Sequence, residues 1–177
     1  PRHPHEEWWF AGWLFEESLG DVYWQLEVDR QQYAPPTDGP LMNPNDTSLL
    51  KCHLSLVFED REIHYRPVTV SVGSPLVEQS SLALVMGFQR IQSTFPGKLF
   101  PLHLEFIDAD TETTLTLKIQ AMKEWTPIGV QVHGVGSQGY AYPACDATGT
   151  LELRDHVYRV HGFSSCAHGW FYGRRPL

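Results

Sequence analysis

Apolar and polar positions alternate with a period of two along most of this chain. In Asp21–Asp29 (DVYWQLEVD), Val22, Trp24, Leu26 and Val28 share one face, and Tyr23, Gln25 and Glu27 the other. This is the pattern of a half-buried strand, because successive side chains leave a strand on opposite sides. Leu49–Glu59 repeats it with Leu50, Cys52, Leu54, Leu56 and Phe58. Lys98–Ile107 does so with Leu102, Leu104 and Phe106, and Thr113–Ala121 with Leu115, Leu117 and Ile119. Trp8–Leu14, Gly149–Leu153 and Val157–Phe163 read as further strands. Glu62–Val72 carries Pro67, which points to an edge or a bulge because proline cannot donate to a ladder. Ser80–Ile91 fits a strand or a helix, and Gly87 favours a bent strand.

Turn chemistry sits between these segments. Glu16–Gly20 reads as a hairpin loop, and Asp60–Arg61, Asp108–Asp110 and Arg154–Asp155 as tight turns. Tyr33–Asn45 (YAPPTDGPLMNPN) reads as a long loop of the kind that often forms a lid or binding loop. The expectation is an all-β fold: an antiparallel meander of about 8–10 strands closed into a barrel, with room inside for one small apolar ligand.

Composition narrows the field. The 177 residues suit one domain over 1–177, and 42% apolar residues suffice for a real core. A net charge of −8 repels phosphate, so neither nucleic acid nor an anionic membrane surface is an expected partner. No apolar run approaches the ~20 residues of a membrane-spanning helix. No charged-then-apolar leader opens the chain, which makes the cytoplasm the expected compartment. Cys52, Cys145 and Cys166 fit neither a disulfide scaffold nor a zinc motif. They read as small buried hydrophobes, with a Cys145–Cys166 bridge left open.

Two segments carry candidate chemistry. The first runs His5, Glu6, Glu7, Trp8, Trp9, Phe10, Ala11, Gly12, Trp13, Leu14. Its aromatics fit a pocket wall with His5 or Glu6 at the mouth. They fit equally a strand closing the barrel, with tryptophans in the core. The second, residues 162–173, holds Ser164, Ser165, Cys166 and His168. Cys166 and His168 share a strand face with Cβ atoms about 6–7 Å apart, which does not favour a direct nucleophile–base contact. No GxSxG elbow exists. His168 is better read as a general acid or base, or as a hydrogen-bond donor to a ligand. The other histidines are scattered, His53 and His103 falling opposite the apolar faces of their strands, so no metal is expected. Gly134, Gly136 and Gly139 read as loop and turn chemistry.

Both aromatic segments resemble a known family. HEEWWFAGWL (residues 5–14) resembles the H-x-E-W-W-Y-x-G-x-L opening of the hydroxyneurosporene synthase (carotenoid hydratase)/AttH-like family. Residues 133–170 resemble its distal pattern, which ends in D-H-x-W-G. The resemblance implies a calycin, or lipocalin-like, barrel. It implies that the chain corresponds to the first of the family's two barrels or to a minimal single-barrel relative, with a homodimer partner or a second barrel outside this chain as the expected partners. It also implies a pocket for a long, greasy, unsaturated molecule, since the family hydrates or cyclises polyenes and resembles fungal lipocalin-like Diels–Alderases. By position, His5, Glu6, Trp8 and Trp9 match the opening motif, Tyr142 the family tyrosine, and His168 and Trp170 the closing motif. The family Asp before the closing His is Ala167 here, its earlier Trp is Ser164 or Ser165, and Phe171 displaces the final Gly.

These readings combine into one set of expectations. His168, Glu6 and Tyr142 are the candidate catalytic residues. His5, Trp8, Trp9, Phe10, Trp13, Trp24, Trp170 and Tyr172 are the candidate substrate-binding residues. No cofactor is expected. The leading activity is a cyclase or pericyclase that folds a hydrophobic polyene or polyketide-type intermediate. A hydratase or isomerase with Glu6 or His168 as acid is the runner-up, and a non-catalytic carrier of a hydrophobic ligand the competitor.

Overall fold

The computed structural model describes residues 5–32, 48–72, 76–78, 81–132 and 135–172. The Tyr33–Asn45 loop lies outside them. The described chain forms thirteen strands: β1 (His5–Glu16), β2 (Gly20–Gln32), β3 (Ser48–Val57), β4 (Glu62–His64), β5 (Val68–Val72), β6 (Leu76–Glu78), β7 (Ser81–Met86), β8 (Gln89–Phe95), β9 (Lys98–Asp108), β10 (Thr113–Ala121), β11 (Thr126–Val132), β12 (Val135–Leu153) and β13 (His156–Tyr172). All belong to one antiparallel sheet in the order β4-β3-β2-β1-β13-β12-β10-β9-β8-β7-β6. β5 pairs with β3, and β11 with β12, off this path. No described helix is long and apolar enough to cross a membrane.

The alternation does what it predicts. Val22, Trp24, Leu26 and Val28 of β2 are buried on one face and lie beside Leu50–Leu56 of β3 and Trp8–Leu14 of β1. Leu102, Leu104 and Phe106 of β9 and Leu115, Leu117 and Ile119 of β10 supply the opposite wall. Each such side chain stabilises the fold by about 1.5–3 kcal/mol when fully buried. Tyr65 shows how far the sheet curls. It follows β4 near one edge of the sheet, yet its ring packs on Phe106 at 5.4 Å and its hydroxyl donates to Thr113 Oγ1 at 3.2 Å. β5 likewise approaches β7 from the other edge. The result is a barrel-like sheet with its apolar side inward.

Four features differ from expectation. The strands number thirteen, and no ladder joins the two edges among the described residues, so the sheet curls without closing. Glu62–Val72 breaks at Tyr65–Pro67 into β4 and β5, where proline interrupts the ladder. Of Ser80–Ile91, the described Ser81–Ile91 is a hairpin, not one bent strand: Gly87, at φ +68°, takes the left-handed conformation of its turn, and Ser80 lies outside the described residues. Gly136 and Gly139 lie within β12, not in a loop. The Glu16–Gly20 turn is confirmed. The Glu16 carboxylate accepts from Ser18 Oγ, Ser18 N and Leu19 N at 2.6–2.8 Å, and the Ser18 hydroxyl leads in holding its pKa below the ordinary value.

The two chain-terminal strands meet at the centre of the sheet. β1 and β13 pair from His5↔Phe171 to Phe15↔His161. Two glycines set how closely they approach. A Cβ on Gly12 would run into the carbonyl oxygen of Phe163, and one on Gly162 into that of Trp13. Both obstacles are backbone and cannot rotate away. Gly12→Ala and Gly162→Ala are each expected to cost about 1–3 kcal/mol of stability through overpacking, read as a lower urea midpoint with the slope unchanged.

Candidate functional site

The β1–β13 register sets the site. Reading across β2, β1, β13 and β12, one row is Arg30–Glu6–Trp170, the next is Val28–Trp8–His168–Tyr140, and the third is Leu26–Phe10–Cys166–Tyr142. All are inward positions, because they share the parity of the buried Trp8, Phe10, Val28, Cys166 and His168.

His168 is the hub. It is 3% exposed. Trp8 stacks on its ring at 4.6 Å and 13°, Trp170 lies against it at 4.2 Å, and the Tyr140 ring meets it edge-on at 5.4 Å. Its Nδ1 and the Tyr140 hydroxyl share a hydrogen bond of 3.3 Å. Its Nε2 is buried with no hydrogen-bond partner among the described residues. The aromatic cluster continues from Tyr140 to Tyr142 (5.8 Å), from Tyr142 to Phe100 (4.7 Å) and from Tyr140 to Trp125 (6.4 Å). Beside it, Arg30 Nη1 donates to Glu6 Oε2 at 2.9 Å, both side chains being largely buried.

Electrostatics keep the cluster neutral. Burial, and after it the positive charge of Arg30, pushes the His168 pKa down from 6.5 to about 4. Burial, with the Tyr142 and Glu6 charges adding to it, pushes Tyr140 up to about 12. Tyr142 is raised as well, burial again leading. Near pH 7 the site therefore presents a neutral imidazole and two neutral phenols. A neutral imidazole can give or accept a hydrogen bond, but it holds no imidazolium proton to donate.

The other expected residues divide between the two faces. Phe10 and Trp24 are fully buried in the core, Trp24 with its indole Nε1 unpartnered. Trp9 and Trp13 lie on the outer face at 51% and 44% exposure, because they alternate with Trp8 and Leu14. Trp9 Nε1 donates to Glu27 Oε1 at 2.8 Å, and Trp13 packs edge-on to Tyr23. The pocket-wall expectation for these two therefore gives way to an outer-face position. His5 is also on the outer face, its Nδ1 3.3 Å from Glu7 and its Nε2 3.5 Å from Asp29. Its ring nitrogens thus turn towards different carboxylates, although donor atoms of the three residues lie within 4.8 Å of one another. Tyr172 ends β13, and its side chain lies outside the described ones. A shallow outer groove of about 490 Å³ runs past Ala11, Tyr23, Met122, Pro143, Phe163 and Ser165.

Sequence reasoning passed over Arg30 and Tyr140. Both had a signal. Arg30 continues the inward series Val22, Trp24, Leu26, Val28, where a charge is out of place without a partner. Tyr140 and Tyr142, as Y-A-Y, share a face.

The His168 pKa carries a pH dependence of stability. The pKa is lower in the folded state, so the unfolded chain binds the extra proton first. The stability from a neutral His168 is complete above pH 6.5 and is lost as pH falls towards about 4. The full difference is roughly 3 kcal/mol, from 1.36 kcal/mol per unit. Urea unfolding at pH 7.5 and pH 5 should show wild type losing more stability on acidification than His168→Phe. Equal losses would contradict the assignment.

No family model and no curated protein matches the sequence. Among solved structures the chain resembles a candidate AttH from Nitrosomonas europaea, with TM-score 0.68 and 15% identity over 94% of this chain and 51% of that one. The chain thus spans about half the length of that protein. It also aligns with the S-type phycobiliprotein lyase CPES from Guillardia theta (8% identity, 97% and 88% of the two chains, TM-score 0.26) and with the enduracididine biosynthesis enzyme MppR (11%, 98% and 86%, 0.25). Those two scores are too low to carry an argument. The first likeness shows the fold alone: the curled antiparallel sheet resembles part of that AttH structure.

Proposed function

We propose that the chain binds a long, unsaturated, apolar molecule at the aromatic end of the sheet and promotes its cyclisation by holding it folded, with no cofactor. The observation that carries this reading is the neutral, buried His168 with a free Nε2, set among Trp8, Trp170 and Tyr140. Aromatic faces suit a conjugated chain. Folding such a chain into a near-attack conformer needs neither nucleophile nor acid. When the Tyr140 hydroxyl donates to Nδ1, the imidazole proton resides on Nε2 and is available to a ligand carbonyl. A donor in that place stabilises charge that develops on the carbonyl oxygen. The same neutrality weighs against hydration, which needs an acid able to protonate an alkene. Glu6 in this reading is occupied in holding Arg30. The match to half of the AttH length supports a second barrel, or a second copy of the chain, beside this one.

The test uses a linear polyene conjugated to a carbonyl. Wild type should form one cyclic stereoisomer faster than the protein-free background, and His168→Phe should be slower by about 10²-fold, as for loss of a preorganised donor. Quenched tryptophan fluorescence with the polyene recovered unaltered would replace the cyclase with a carrier. Product heavier by one water would replace it with a hydratase. Neither quenching nor turnover would reject the site.

A further inference from the structure

Cys145 and Cys166 form a pair that the site chemistry above does not use. Both are buried on the inner face, on the adjacent strands β12 and β13. The ladder makes them diagonal neighbours on that face, Cys166 standing opposite Tyr142 and Cys145 opposite Ser164, and Cys145 Sγ donates to the Tyr142 carbonyl oxygen at 3.8 Å. Neither is in a disulfide. Tyr142 pairs with Cys166 and Cys145 with Ser164, so β12 has one residue more than β13 between these rungs: a bulge. Pro143 lies in it, and there the missing N–H costs the ladder nothing. The outer groove runs along Pro143, Ala144 and Ser164, so its wall includes the backbone that carries Cys145.

We propose that Cys145 and Cys166 are a peroxide-sensitive pair that closes to a disulfide across the bulge. The hydrogen bond from Cys166 lowers the Cys145 thiol below its ordinary pKa in spite of burial, whereas Cys166 is raised well above its own. Cys145 is thus the attacking sulfur and Cys166 the resolving one. In the first step the Cys145 thiolate attacks one peroxide oxygen. The O–O bond breaks, and the departing hydroxide takes up the proton released by the thiol, giving water and a Cys145 sulfenic acid. In the second step the Cys166 sulfur attacks the Cys145 sulfur. The S–O bond breaks, and hydroxide leaves with the Cys166 thiol proton as a second water. The two sulfurs together lose two electrons, and the peroxide gains them.

Closure brings the two sulfurs to about 2.05 Å. It also removes the thiol proton that Cys145 donates to the Tyr142 carbonyl. The Tyr142 ring packs on Tyr140, which in turn holds His168, so the bond forms beside the aromatic cluster. Cys52 is a built-in control: it lies alone on β3, and burial pushes its thiol up to about 12.

The experiment treats the folded full chain with a small excess of hydrogen peroxide, alkylates the remaining thiols on denaturation, and maps the peptides. The expected result is a mass loss of about 2 Da, a Cys145–Cys166 cross-linked peptide and an alkylated Cys52, all reversed by dithiothreitol. Cys52→Ser should behave as wild type, and Cys166→Ser should halt at the sulfenic acid on Cys145, trapped by dimedone. Three alkylated thiols, oxygen addition without a cross-link, or a cross-link to Cys52 in the wild-type protein would each overturn the pair, whether or not any variant folds.

Discussion

The pairing of β1 with β13 is the contact on which the rest of the molecule depends. It joins the two ends of the described chain, so its loop-closure entropy is unfavourable until the intervening strands are ordered. It succeeds because three conditions coincide. Both strands are long. Gly12 and Gly162 permit a backbone approach that any side chain would block. Trp8 and His168 fall opposite each other and stack. A slip of one residue would exchange the faces, turning His168 to solvent and Trp9 into the core. The register is therefore the constraint that assembles both the core and the aromatic cluster.

The site's electrostatics follow from that register. His168 is buried among rings that cannot hydrate it, and Arg30 adds a positive charge nearby, so its neutral form is favoured. Glu6 lies opposite both Arg30 and Trp170 in the ladders, and its carboxylate balances the guanidinium. Removing Glu6 would take away a carboxylate that offsets a largely buried guanidinium, which is costly in a low-dielectric setting. His168 Nε2 is among the buried polar atoms left without a hydrogen-bond partner among the described residues.

Much of this was legible in sequence because the side-chain period of a strand is rigid. The buried series of β2, β3, β9 and β10 follow from alternation alone. Alternation also decides the fate of the opening segment: its four aromatics cannot all face one side, and the structure puts Trp8 and Phe10 in and Trp9 and Trp13 out. What local pattern could not supply was tertiary. Ser80–Ile91 fits a strand or a helix in sequence, with a bent strand favoured, since only the left-handed conformation at Gly87 shows that the chain reverses there. β11 does alternate, at Ile128, Val130 and Val132, a signal that sequence reasoning passed over, but its place off the main path is set by pairing with the extension of β12. Tyr140 and Arg30 gain meaning only when β12 and β2 are brought beside His168 and Glu6.

The same parity changes the weight of the Ala167 departure. In sequence it looked like the loss of an acid next to the closing histidine. In the structure Ala167 pairs with Trp9 and Ala141, on the face opposite His168. An aspartate there would project to the outer side of the sheet, beside an exposed tryptophan. It could not share a ligand with His168 across the backbone of its own strand. The case against hydration therefore does not rest on the missing carboxylate. It rests on the inner cluster itself, where burial and Arg30 leave the imidazole without the proton that an alkene would have to receive. Protonation chemistry here would require undoing the burial that holds β1 against β13, whereas confinement of a neutral ligand uses that burial as it stands.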